Sequence, residues 1–165
     1  MDNLWKKGIW GQFGAAIDTL ENAMAACPDE LWDDRSKFHI FWYVAYHTIF
    51  WLDYYLTDNT KDFHPPEPFG MTEMDPSGIL PERTYTKSEL FNYLKYCREK
   101  CQTTIMAMTD EALDSRFKFG MVDFNKVELH LYNMRHVQHG AGQLNLILRQ
   151  EYDIPSPWVF TAKDN

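Results

Sequence analysis

Apolar positions recur every three or four residues over four stretches of this chain, the spacing that returns side chains to one face of a helix. The first stretch, Leu4 to Cys27, sets Trp10, Phe13, Ile17, Leu20 and Met24 on one stripe, leaves Gln12, Asp18 and Glu21 off it, and stops at Pro28. Gly8, Gly11 and Gly14 weaken its helix propensity but permit a neighbouring element to come close. The second stretch, Ser36 to Leu56, takes Ser36 as its cap. It is so aromatic that it is expected to be buried on more than one side, as a central helix or at a dimer interface. Its β-branched residues would also suit a strand, but a run of about twenty residues without a breaker favours a helix. The third opens at Thr86, with Glu89 three residues on in the capping-box pattern. Leu90, Tyr93, Leu94, Cys97, Cys101, Ile105 and Met108 form its apolar stripe. The fourth runs from about Phe124 to Gln150 without a proline.

The connection Thr57 to Thr86 holds Pro65, Pro66, Pro68, Pro76 and Pro81, and loops of such length are usually functional or disordered. Interleaved Phe63, Phe69, Met71, Met74 and Ile79 predict that it packs on the body, either as a lid over a pocket or as a plain crossover. Thr109 to Asp123 reads as a second connection with a short turn near Asp110. After the last helix, Pro155 and Pro157 predict an extended tail through Trp158, Val159 and Phe160, laid on the surface. No repeat or second domain interrupts the pattern. The expectation is one all-α domain over residues 1–165, a four-helix bundle with a long proline-rich crossover between its second and third helices.

Composition narrows the function classes. Aromatics make up 16% of the chain, which argues for a folded core rather than disorder. The net charge of −8 disfavours binding to nucleic acid or to an anionic membrane, which reward basic surfaces. No apolar run is long enough to span a bilayer and the first residues do not resemble a signal peptide, so a cytoplasmic protein is expected. Cys27, Cys97 and Cys101 form no disulfide framework; Cys97 and Cys101 are read as packing residues, since a zinc half-site lacks its second pair.

The candidate chemistry lies in Glu128–Gln150, which holds His130, His136 and His139, half the histidines of the protein. Bundle interiors build metal sites from inward side chains on facing helices, so His136 and His47 of the second helix are the natural candidates, a weak signal by itself. A lone histidine on an apolar face is more often a core residue satisfied by protein groups than a ligand. Tyr43 and Trp51 lie one turn before and after His47. Tyr132 belongs to the apolar face near His136, and Gln143, two turns beyond it, is placed to hold an imidazole. His39 is expected to hydrogen bond in the core, His130 to lie at the surface or an interface, and Arg135 to pair with a carboxylate. Asp53 falls off the His47 face and is given no catalytic role. No Ser-His-Asp spacing, phosphate loop or HExxH motif occurs.

The segments ACPDELW, YVAYHTIFWLDYYL, PPEPF, LPERTYTKSEL, YLKYCREKC and LYNMRHVQHGAGQLNLILRQ together resemble the DinB/YfiT-like superfamily of four-helix bundles, from about Trp10 to Gln150. That resemblance implies a divalent metal, nickel or zinc, held by one histidine in the second helix and two spaced by four in the fourth. The first two fall on His47 and His136; the third falls on Gly140, a departure from the family pattern. At about 100° per residue, position 140 lies some 40° to one side of His136 and His139 about 60° to the other. His139 would therefore ligate only with a rotated helix or a shifted metal; His64, Glu67 or Glu73 of the connection could complete the set instead, though nothing in the sequence places one there.

The resemblance implies a metal-dependent enzyme acting on a small molecule, either a thiol-dependent transferase using a low-molecular-weight thiol or a hydrolase. The competing expectation is a non-catalytic bundle, stress-linked or ligand-binding and homodimeric through its aromatic surfaces, whose metal site has decayed at Gly140.

Overall fold

A computed structural model describes residues 4–163, so the ends of the expected domain at 1–3 and 164–165 lie outside the described residues. The chain forms α1 (Leu4–Ala26), a single turn α2 (Asp29–Trp32), α3 (Phe41–Tyr55), α4 (Lys87–Ala107), a hairpin of β1 (Arg116–Phe119) and β2 (Val122–Asn125), and α5 (Lys126–Tyr152). The all-α expectation therefore holds apart from a small two-stranded sheet. Helix α1 packs on α4 and α5, and α3 packs on the same two, so α1 and α3 face each other across the core. No helix among the described residues is long and apolar enough to cross a membrane.

Local chemistry explains most boundaries. Thr86 caps α4 as expected: its hydroxyl accepts from the Glu89 amide at 3.2 Å, and the Glu89 carboxylate accepts from the Thr86 amide at 2.8 Å. Asn125 caps α5 by accepting from the Glu128 amide at 2.9 Å. Ser36 does not cap the second long helix. Its amide and hydroxyl both donate to Asp34 Oδ1, at 3.0 and 2.6 Å, which closes a turn instead. Helix α3 begins only at Phe41 after an extended Ile40, and His39 consequently lies outside it and exposed rather than in the core.

The aromatic run of α3 is buried within the single chain, not held back for a dimer interface: Phe41, Trp42, Tyr46, Ile49, Phe50 and Leu52 are at most 1% exposed. The connection 57–86 packs across it. Phe69 stacks on Tyr93 at 4.5 Å between ring centres, Phe63 meets Phe50 at 5.3 Å, and the Tyr46 hydroxyl donates to the Gly70 carbonyl at 3.0 Å. Met71 and Ile79 are exposed, contrary to expectation, while Phe63, Phe69 and Met74 pack as expected.

The segment read as a plain connection before α5 instead holds the hairpin, turning at Gly120 with φ of +54° and pairing Phe117 with Phe124. It lays Phe117 and Phe119 on Tyr54 and Tyr55 and so covers the end of α3. Phe124 is therefore a strand residue, and α5 starts at Lys126. The glycines of α1 receive the C-terminal tail: the Ala162 amide donates to the Gly11 carbonyl at 2.8 Å, and Ala162 lies against Gly14. The tail is anchored further by Asp18, a buried residue of α1 that accepts from the Lys163 amide at 2.7 Å and pairs with Arg98 at 3.1 Å. Cys27, Cys97 and Cys101 are buried and free, and burial pushes all three thiols up, Cys27 to about 12.

Candidate histidine site between α3 and α5

Tyr43, His47 and Trp51 recur at intervals of four on α3 and so line one face. Opposite them stands Glu73, in a 3₁₀ turn Thr72–Met74 of the proline-rich connection. Its Oε2 lies 2.6 Å from His47 Nδ1 and accepts from Trp51 Nε1 at 3.1 Å, while its buried Oε1 has no hydrogen-bond partner among the described residues. The Glu73 side chain is 3% exposed, against 45% for His47. Burial alone would push its carboxyl up. The hydrogen bond and charge of His47, with the Trp51 indole bond and the Tyr43 hydroxyl nearby, hold it below its ordinary value.

His136 of α5 faces this group, its ring centre 5.6 Å from that of His47 and 6.3 Å from Tyr55. Its Nε2 sits 3.3 Å from the Thr48 carbonyl. Burial, reinforced by the neighbouring His47, pushes its pKa down to about 4, so the ring is neutral at pH 7. A carbonyl only accepts, so the ring proton is assigned to Nε2 and Nδ1 keeps its lone pair. A metal ligand must be the neutral imidazole, and in that form of His47 the Glu73 carboxylate holds the proton on Nδ1 and leaves Nε2 bare. Each imidazole thus has one nitrogen held by an acceptor and one free to ligate, the arrangement in which protein-bound metals are commonly found.

His139 is exposed and does not join His47; it lines an open cleft of about 440 Å³ with Tyr132, Arg135, His136 and Gln138. Tyr132 packs on Tyr55 and Phe124, each at 5.3 Å between ring centres. Gln143 is half-buried and makes no hydrogen bond to either imidazole among the described residues.

Gly140 is buried where α5 crosses α3, and Thr48 fills the space in front of it. A Cβ built there would overlap the Thr48 hydroxyl and come within 2.8 Å of its methyl carbon. A histidine at 140 would collide with the Thr48 side chain, so the position where the resemblance sets a third histidine is closed by packing. No group of three or more His, Cys, Asp or Glu side chains arranged to hold a metal occurs among the described residues. The donors present fit a two-nitrogen site with further positions left to solvent or substrate, and do not fit the three-histidine set.

Of the three connection residues that could complete the set, His64, Glu67 and Glu73, the structure brings Glu73 to His47 Nδ1 and leaves the other two exposed; thirty residues without periodic register gave no means of choosing among them. His130, expected at the surface, is 1% exposed. Its i+3 and i+7 neighbours Asn133 and Val137 are buried with it, a signal the helical phase does contain. No family model, curated protein or solved structure matches this chain.

Proposed function

We propose that this chain is a DinB-like four-helix bundle that holds a divalent metal ion, nickel or zinc, on His47 Nε2 and His136 Nδ1, and that it is a metal-dependent enzyme of the thiol-transferase or hydrolase kind. The observation that carries this reading is the pair of facing imidazoles, each with one nitrogen held by an acceptor and the other bare. When bound, such a metal lowers the pKa of a thiol or water and supplies a nucleophile at neutral pH. Glu73 orients His47, and the Thr48 carbonyl orients His136. Tyr132, Arg135 and His139 line the cleft through which a small-molecule substrate reaches His136, with Arg135 available to an anionic group. In the same reading the protein is cytoplasmic and works as a homodimer.

The packing of Gly140 on Thr48 favours a second reading, a non-catalytic ligand-binding or stress-related bundle with a degenerate metal site. Cobalt(II) titration of the full chain without a histidine tag separates the two. The enzyme reading expects protein-dependent visible bands that disappear in His47→Ala and shift when cysteine is added as a probe thiol. Spectra identical to free cobalt(II) would leave only the non-catalytic bundle.

A further inference from the structure

Helix α5 carries a second, unrelated polar feature. His130 lies six residues before His136, about 120° away around the helix. The ring is 1% exposed, and neither Nδ1 nor Nε2 has a hydrogen-bond partner among the described residues. Burying two unpaired ring nitrogens costs stability, and a phenylalanine would fill the same space without that cost. Buried polar groups left in this way call for a ligand or a role.

His130 forms part of the wall of a cleft of about 330 Å³ between the end of α4 and the start of α5. Asp58, Thr104, Ala107, Met108 and Lys126 line it too. The volume is at the lower end of the range for small-molecule sites. Lys126 is held toward the cleft with its side chain 18% exposed, and its ammonium pairs with Asp58 at 2.6 Å. Asp58 is 87% exposed, and that pair is its one side-chain hydrogen bond among the described residues. A carboxylate tethered this loosely already shows what Lys126 accepts, and exchanging it for another carboxylate costs little, because exposed ion pairs are weak and Asp58 is rehydrated on release. Burial, with a smaller contribution from Lys126, pushes the His130 pKa down to about 4, so at neutral pH the ring offers one N–H donor and one acceptor. Ala107 and Met108 supply apolar lining to the same cleft.

We propose that this cleft binds a small organic carboxylate: the ligand carboxylate takes the place of Asp58 in front of Lys126, a modest turn of the His130 ring pairs one of its nitrogens with the ligand, and the apolar body rests on Ala107 and Met108. The site is independent of the His47–His136 pair and stands or falls without it.

Benzoate is a suitable probe, titrated at constant ionic strength into the full chain labelled on histidine and followed through the His130 ring resonances. The expected result is a saturable shift with a Kd near ~1 mM. Lys126→Met, at a partly exposed helix start, is expected to fold and to weaken binding about tenfold, and His130→Phe to weaken it as much when followed through the Met108 and Lys126 amide resonances. Benzyl alcohol, which lacks the charge, and acetate, which lacks the ring, are expected to bind at least about tenfold more weakly than benzoate. No saturable change at His130 up to about 20 mM benzoate, or a Kd unchanged in Lys126→Met, would overturn the proposal. Inorganic phosphate binding as tightly as benzoate would also overturn it, since the apolar wall would then contribute nothing.

Discussion

Glu73 Oε2 lies 2.6 Å from His47 Nδ1, and this bond ties the proline-rich connection to the face of α3 that carries the candidate site. The same oxygen accepts from the Trp51 indole at 3.1 Å, so one buried side chain holds two donors of α3 in place. Replacing Glu73 with alanine leaves those donors unpaired and is expected to cost about 2–3 kcal/mol of stability, read from the midpoint of urea unfolding. Proteolysis within 57–86 is expected to accelerate in the same variant. If His47 ligates a metal through Nε2, Glu73→Gln is expected to weaken metal affinity by roughly 10–100-fold while keeping the segment closed. Unchanged stability in Glu73→Ala would show that the connection is held by Phe63 and Phe69 alone.

Gly140 and Thr48 make a second close pair. Gly140→Ala places a Cβ against the Thr48 hydroxyl and is expected to destabilise by about 1–3 kcal/mol, although alanine is the better helix former. Thr48→Ala in the same chain removes the overlapping hydroxyl and methyl and is expected to restore part of the loss. A Gly140→Ala protein more stable than the parent would contradict the close crossing of α3 and α5.

His130 gives a pH signature. Its pKa is about 4 in the folded chain against 6.5 as the ordinary value. Between those values the unfolded chain takes up a proton that the folded chain refuses, so stability is complete above about pH 6.5 and falls as pH drops toward 4. The loss from this one group is on the order of 3 kcal/mol by pH 4. Unfolding free energies measured at intervals from pH 7 to about pH 4.5 are expected to decline less steeply in His130→Phe than in the parent. Parallel curves would show that the imidazole finds a partner when protonated.

The parts of this fold that were legible in the sequence are those set by near neighbours. The Thr86–Glu89 capping box reads directly because both partners lie within one turn. Ser36 misled because Asp34, two residues earlier, competes for its amide and hydroxyl, which moves the start of α3 to Phe41 and takes His39 out of the core. The hairpin carried its own signal, Phe117 and Phe119 alternating with basic residues before Gly120, but on strands of four residues that pattern is short. At the candidate site helix phase and bundle packing make His47 and His136 candidates only weakly, and it is the resemblance that pairs them. The Glu73 contact does not, because a connection of such length has no register to read. The closure of position 140 depends on the distance between two helices, which only the fold supplies.

The central claim is that His47 and His136 together hold a divalent metal. Equilibrium dialysis of the full chain, without a histidine tag, against nickel(II) or zinc(II) tests it most directly when the bound metal is counted. The account predicts about one equivalent per chain, lost in His47→Ala and in His136→Ala and largely kept in His139→Ala. Less than about a tenth of an equivalent, unchanged in those variants, would contradict it.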